Sequence, residues 1–256
     1  MEIKCGDYVT RNSYGNDTIF KVINIRKNIC YLKGVEIRLF ADAYLSDLEK
    51  VDYEAKEDNV SLDVEIPMSR DDYFYLIPKV MHFDGDKDYL NRCLDFYKKN
   101  GVVAVGKAIK ESELPSKIYD YLNEYRPDIV IITGHDAYYK KKGKEDDISN
   151  YRNSLNFVKS VKNARKYEKS HEKLVIIAGA CQSDYEELIK SGANYASSPK
   201  RINIHALDPA IIAVTIALTE KTKEINLIEM LEKTKYGKDG MGGLKQNGMM
   251  YVGYPR

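Results

Sequence analysis

Two side chains dominate the chemistry available to this chain, those of Cys181 and His135. A cysteine attacks a carbonyl carbon as the thiolate, so it needs a base beside it or a lowered pKa. An imidazole changes charge near neutral pH and can take the thiol proton and later hand it to a leaving amine. The same kind of segment leads to both residues. Residues 174–178 form a short apolar run that continues through Gly179-Ala180 to Cys181, and residues 129–133 continue through Gly134 to His135. Apolar runs bounded by small residues have the pattern of strands buried in a parallel sheet. His135 stands 46 positions before Cys181, which leaves room for a loop, a helix and a return strand. The spacing predicts that the two residues end neighbouring parallel strands, where open α/β sheets carry their chemistry. The expectation is a dyad, with Cys181 as nucleophile and His135 as general base and acid. The backbone N–H groups of Asp136 and Cys181 would face the developing oxyanion. A helix starting near Ser183 would favour negative charge on the sulfur.

The elements that must position this dyad follow from periodicity and breakers. Strands are predicted over 79–83, 102–108, 128–133, 173–178 and 195–198, with an edge strand over 249–253. Helices are predicted over 87–100, 115–125, 155–167, 184–191, 208–218 and 227–235. Gly101 stops the first helix, Pro115 opens the second and Arg126-Pro127 ends it. Strand–helix alternation with apolar strands predicts a mainly parallel sheet flanked by helices. Right-handed crossovers would bring Asp84, His135 and Cys181 to one edge. Residues 1–50 differ. Their short β-prone runs, separated by Gly, Asn and Asp, predict a small SH3-like β-barrel. Residues 51–72 carry eight acidic residues against Lys56 and Arg70, the composition of a solvated linker. The α/β domain is expected over 73–256.

Other polar residues compete for roles. Asp84-Gly85-Asp86 ends the first strand of the α/β domain. It is either an acidic pocket for a basic substrate side chain or a turn with a helix cap. Asp136 and Asp184 are rival pocket residues. His205, near a helix start, is either a second base or a capping residue. His82 lies within a strand and reads as core, and His171 lies at the opposite end of the sheet and reads as solvated. Cys93 sits on the apolar face of a helix, and burial as a small hydrophobe is the expectation for Cys5, Cys30 and Cys93. Residues 140–144, KKKGK, form a charged loop beside His135 and suggest a lid or an exposed self-cleavage site.

The 256 residues are 31% charged with a net charge of +1, which gives no global attraction to nucleic acid or an anionic membrane. No CxxC pair and no metal-ligand histidine spacing exist, so neither zinc nor another metal is expected. The GxxxxGK[ST] and GxGxxG phosphate motifs are absent, and no cofactor is expected. The N-terminal residues have no apolar leader and no run approaches 18 apolar residues, so an intracellular protein without a membrane span is expected.

Gly134-His135 and Gly179-Ala180-Cys181-Gln182-Ser183 resemble the histidine and cysteine motifs of caspase-like cysteine peptidases. Two positions depart from that pattern, with Asp136 and Ser183 standing where glycines are usual. The chain as a whole resembles a narrower family. GDYVTRNSYGNDTIFKV, VEIRLFAD, HFDGDKDYLNRCLDFYKK, RPDIVIITGHDAY, IIAGACQS and GANYASSPKRINIHALDP look like the YabG sporulation peptidases of spore-forming bacteria. The resemblance implies a caspase-like protease of the mother cell and spore coat. It implies processing of spore coat and germination proteins, next to Arg or Lys, with self-cleavage. Two alternatives stand beside it. One is a cysteine amidohydrolase of the glutamine-amidotransferase kind, whose GxCxG elbow Ser183 breaks. The other is a coat-associated binding protein whose barrel recruits partners.

Overall fold

The computed structural model describes residues 2–54, 62 and 74–254. The chain divides into two compact units, Met1–Val60 and Ser61–Arg256. Most of the acidic stretch 51–72 lies outside the described residues.

The first unit is one antiparallel sheet of β1 (Tyr8–Arg11), β2 (Phe20–Arg26), β3 (Ile29–Gly34), β4 (Phe40–Tyr44) and β5 (Leu48–Lys50), in the order β4-β3-β2-β1-β5. Its core is Val9, Phe20, Val22, Cys30, Leu32 and Leu48. These come from alternating positions of short strands, as one buried face requires. Cys5 departs from expectation: it lies in a turn before β1 and is exposed.

The second unit begins with β6 (Phe74–Leu76) and then alternates. In chain order come β7 (Val80–Asp84), α1 (Lys87–Lys99), β8 (Ala104–Ala108), α2 (Leu114–Tyr125), β9 (Ile129–Thr133), α3 (Ser154–Tyr167), β10 (Val175–Ala178), α4 (Tyr185–Lys190) and β11 (Tyr195–Ser197). Then follow α5 (Asp208–Leu218), α6 (Leu227–Glu232), α7 (Gly237–Gly240), β12 (Met241–Gly243) and β13 (Tyr251–Gly253). The main sheet has the order β12-β11-β10-β9-β7-β8 and is parallel except for β12. Every residue of β7, β9 and β10 is buried, because helices cover both faces. Met81, Phe83, Val130, Ile132 and Ile176 pack with Leu114, Ile118, Phe157 and Val161 from α2 and α3. On the other face α1 lies against β7 and β8, and α5 against β9 and β10. All of α5 is buried, which matches a sequence apolar all round except for Asp208 and Thr215.

This unit differs from the expected set at its two ends, starting with β6, which was not expected as a strand. The glycine-rich stretch after residue 237 is ordered as α7 and β12, and β12 adds the antiparallel edge of the main sheet. Glycine suits that strand: a Cβ at Gly243 would collide with the Asn194 carbonyl and the Tyr195 ring. The expected edge strand 249–253 is the shorter β13, and it pairs with β6 in a separate two-stranded ribbon.

Candidate active site

β9 and β10 are hydrogen-bonded parallel neighbours, with Val175 opposite Ile129 and Ala178 opposite Ile132. Gly179 N–H continues the ladder to the Ile132 carbonyl at 3.0 Å. His135 and Cys181 therefore leave adjacent strands at the same edge, two and three residues past the strand ends. On the other side of β9 lies β7, with Asp84 opposite Thr133. Chain order reverses between β7 and β9, and a crevice forms outside the strand ends at such a point.

Local chemistry explains each turn. Gly179 has φ 105°, and a Cβ there would collide with the Ser197 hydroxyl. The turn that carries Cys181 thus needs a residue with no side chain at its first position. Ser183 closes the turn: its hydroxyl accepts the Ala180 N–H at 2.9 Å and donates to Asp136 Oδ2 at 2.9 Å. Asp136 is buried and accepts three more hydrogen bonds. They come from the N–H groups of Ala137 (2.9 Å) and Asn153 (2.7 Å) and the Ser154 hydroxyl (2.5 Å). Burial still pushes its carboxyl above the ordinary range, against those four bonds. The two residues that depart from the caspase-like pattern are thus partners. They tie the loop after β9, the N-terminus of α3 and the cysteine turn together.

The Cys181 thiol is enclosed. The residue has no exposed surface. Its sulfur accepts the Ile204 N–H at 3.3 Å and lies 3.7 Å from the Ile204 carbonyl oxygen. The covering segment is held in turn by Gln182, whose N–H donates to the Ile202 carbonyl and the Ser198 hydroxyl, both at 3.0 Å. Gln182, Ser198 and Arg201 all have φ between 53° and 68°, a region that non-glycine residues seldom occupy. Arg201 Nε donates to the Tyr151 hydroxyl at 2.6 Å, and its terminal nitrogen pairs with Glu186 and, at 3.4 Å, with Asp184. Asp184 also caps α4 through the Glu187 N–H, and burial raises its carboxyl above the ordinary range.

His135 is 7% exposed. Its Nε2 lies 3.2 Å from Asp86 Oδ2, its N–H donates to Glu111 Oε1 at 2.7 Å, and its carbonyl accepts from Asn153 at 2.7 Å. Asp86 is the N-cap of α1: its Oδ1 accepts the N–H groups of Asp88 (2.9 Å) and Tyr89 (3.3 Å). Asp84 is fully buried; its Oδ1 accepts the Asp86 N–H at 2.8 Å and its Oδ2 accepts the Thr133 hydroxyl at 2.8 Å. The buried His82 continues this set, with Nε2 at 2.7 Å from the Thr133 hydroxyl and Nδ1 at 2.9 Å from the Tyr97 hydroxyl. His205 Nδ1 accepts the Leu207 N–H at 3.2 Å, and its own N–H donates to Asp208 at 2.8 Å. The N-cap of α5 is Leu207, which has no side-chain cap, so His205 ties the turn just before the helix.

Glu111 escaped sequence reasoning. It follows the end of β8 on the same edge as Asp84, which is the signal that could have singled it out. Among the described residues, no group of three His, Cys, Asp or Glu is arranged to hold a metal ion, and no helix is long and apolar enough to cross a membrane.

The sequence profile of the family described as YabG peptidase U57 matches residues 4–66 and 56–255. A curated relative, "Sporulation-specific protease YabG" of Bacillus subtilis (strain 168), is 40% identical over 286 aligned positions, covering 100% of this chain and 99% of the relative. Both matches span the small sheet and the α/β unit, including the two strand ends just described, and the chain belongs to the YabG peptidase family.

Proposed function

We propose that this chain is a sporulation protease of the cysteine type, with Cys181 as nucleophile and His135 as base and acid. The observation that carries the reading is the adjacency of β9 and β10, whose ends lead to His135 and Cys181 on one edge. His135 takes the thiol proton, and the thiolate forms a C–S bond to the scissile carbonyl carbon. The oxyanion is held by the Asp136 and Cys181 N–H groups. Collapse expels the amine, which takes the proton from His135. Water, deprotonated by the same imidazole, hydrolyses the thioester and restores the thiol. Access to the sulfur requires the segment around Ile204 to yield as a substrate enters.

The carboxylates of Asp84, Asp86 and Glu111, with those of Asp184 and Glu186 paired to Arg201, leave this edge acidic. That field supports cleavage next to Arg or Lys, with Asp84 and Asp86 at the strand end beside the base. Spore coat and germination proteins are the proposed substrates, in the mother cell and spore coat. Self-cleavage is proposed in the exposed loop 140–144, whose residues stand clear of the core. A parallel sheet with base and nucleophile on neighbouring strands supports a caspase-like α/β domain. The order of the five N-terminal strands supports an SH3-like barrel.

One observation favours a non-catalytic protein: the complete enclosure of the thiol. The deciding experiment incubates wild type, Cys181→Ala and His135→Ala with peptides containing basic or acidic residues. Loss of turnover in both variants, with basic peptides preferred by wild type, is expected. Turnover in either variant overturns the dyad. N-terminal sequencing of the purified protein's fragments tests loop 140–144, and fragments that never start within or just after it remove that site.

A further inference from the structure

We infer that Asp86 and Glu111 are positioning residues that hold His135 from two sides, Asp86 through the ring and Glu111 through the main chain. The inference rests on the proposed role of His135. Asp86 Oδ2 and His135 Nε2 are 3.2 Å apart, and both side chains are 9% exposed. At that burial a carboxylate–imidazole contact is poorly screened and directional. A carboxylate accepts and does not donate, so the contact puts the neutral ring's proton on Nε2 and leaves Nδ1 as the nitrogen that takes a proton.

The Asp86 carboxylate cannot easily turn away. Its other oxygen is bound to two N–H groups at the start of the 13-residue helix α1, where a negative charge is also favoured by the helix dipole. Its own N–H is bound to Asp84. Behind Asp84 runs a consistent chain of donors: Tyr97 hydroxyl to His82 Nδ1, His82 Nε2 to the Thr133 hydroxyl, and Thr133 to Asp84 Oδ2. The shortest contacts of the chain run in one direction, with the Phe83 carbonyl a second, longer acceptor for Thr133 at 3.3 Å, so the set is stiff.

Glu111 acts on the backbone. Besides accepting the His135 N–H, its carboxylate fills the space where Cβ atoms of Gly85 and Gly134 would stand. It is wedged between the ends of β7 and β9, and both glycines are required for it to reach there. The two carboxylates come from different strand ends and meet at His135, where chain order reverses.

The test uses substitutions that keep structure and remove function. Serine and asparagine cap helices about as well as aspartate, and neither supplies a carboxylate. Full-length Asp86→Ser and Asp86→Asn are compared with wild type, Cys181→Ala and His135→Ala for kcat, KM and Tm. The expected result is a kcat lower by on the order of 10²- to 10⁴-fold, with KM within threefold and an unchanged Tm. In a Cys181→Ala background, ¹H–¹⁵N correlation of the His135 ring should show the proton on Nε2 while Asp86 is present. Adding Asp86→Ser to that background should give a mixture of tautomers. Glu111→Ala should lower kcat by roughly 10-fold, and Glu111→Gln should restore most of it, since an amide oxygen still accepts the His135 N–H. Wild-type kcat in both Asp86 variants with an unaltered tautomer overturns the ring role, as does loss of folding in both. Glu111→Gln no better than Glu111→Ala overturns the main-chain role. If Cys181→Ala or His135→Ala turns over substrate, the underlying dyad has failed instead.

Discussion

The two edges of the main sheet differ in the groups they gather. At the carboxyl edge stand Cys181 and His135 among the carboxylates of Asp84, Asp86, Glu111, Asp136 and Asp184. At the amino edge lies a cavity of about 520 Å³ lined in part by His171, Val175, Asn194, Lys221 and Gln246. Near it Arg165 donates to the carbonyls of Gly192 (2.7 Å) and Leu174 (2.8 Å) and to the Asn194 side chain (2.6 Å). This void therefore lies away from the reactive groups. Helix polarity explains the difference. Helices that follow parallel strands begin at the carboxyl edge, where their first N–H groups need acceptors; Asp86 and Asp184 supply them for α1 and α4, and Asp136 binds the N–H of Asn153 just before α3. The same helices end at the amino edge with free carbonyls, and Lys98, Lys99, Arg165, Lys166 and Lys190 occupy those last turns. The comparison teaches that acidity at the carboxyl edge of a parallel sheet has a structural origin before any chemical one.

Substitutions at the two edges should separate activity from stability. The largest effect is expected for Cys181→Ala and His135→Ala, each lowering kcat/KM by about 10³-fold or more. Cys93→Ser, an equally buried thiol on α1 whose sulfur faces the Ala206 carbonyl at 3.5 Å, should keep turnover per folded molecule. Equal losses at both cysteines would erase the distinction between a reactive thiol and a packed one.

Next in size is Arg165→Leu at the amino edge. It strands several carbonyl acceptors and should lower unfolding free energy by about 3 kcal/mol in urea titrations, at about 1–3 kcal/mol for each buried unsatisfied group. Peptidase activity per folded molecule should stay within twofold, and a selective loss of activity would couple the two edges.

The smallest effect concerns His171. His171 is exposed, but partial desolvation, and then the neighbouring Arg165 charge, hold its imidazole below the ordinary value of 6.5. The folded state thus binds fewer protons at this site than the unfolded chain between the depressed value and 6.5. Its contribution to stability is present above 6.5 and is lost as pH falls through that window. The urea midpoint should fall less steeply over that window in His171→Gln than in wild type. Identical slopes would remove His171 from the pH dependence.

Much of this arrangement was legible in the residues themselves. The apolar runs before Gly134-His135 and Gly179-Ala180-Cys181 announced β9 and β10, because a strand buried on both faces must be apolar throughout. Breakers placed the ends of α1 and α2 closely, since Gly101 and Arg126-Pro127 act on their nearest neighbours. The Asp84-Gly85-Asp86 turn was legible as a cap only as one of two alternatives, and the cap is a contact spanning three residues. The glycine-rich tail was not legible as strand β12, because its glycines answer to the Tyr195 ring and the Asn194 carbonyl across the sheet.

The sequence by itself determined which segments are strands and helices, which residues are chemically competent, and the family. Those depend on periodicity, local hydrogen bonding and motif. Only the tertiary structure decided the partners. Asp86 meets His135 from 49 positions away, Asp136 meets Ser183 from 47, and Ile204 closes over Cys181 from 23. The first two pairs exist because β9 is set between β7 and β10, and the third because β11 lies beside β10. That strand order is chosen by the packing of the whole sheet against its helices, and no short window of residues contains it.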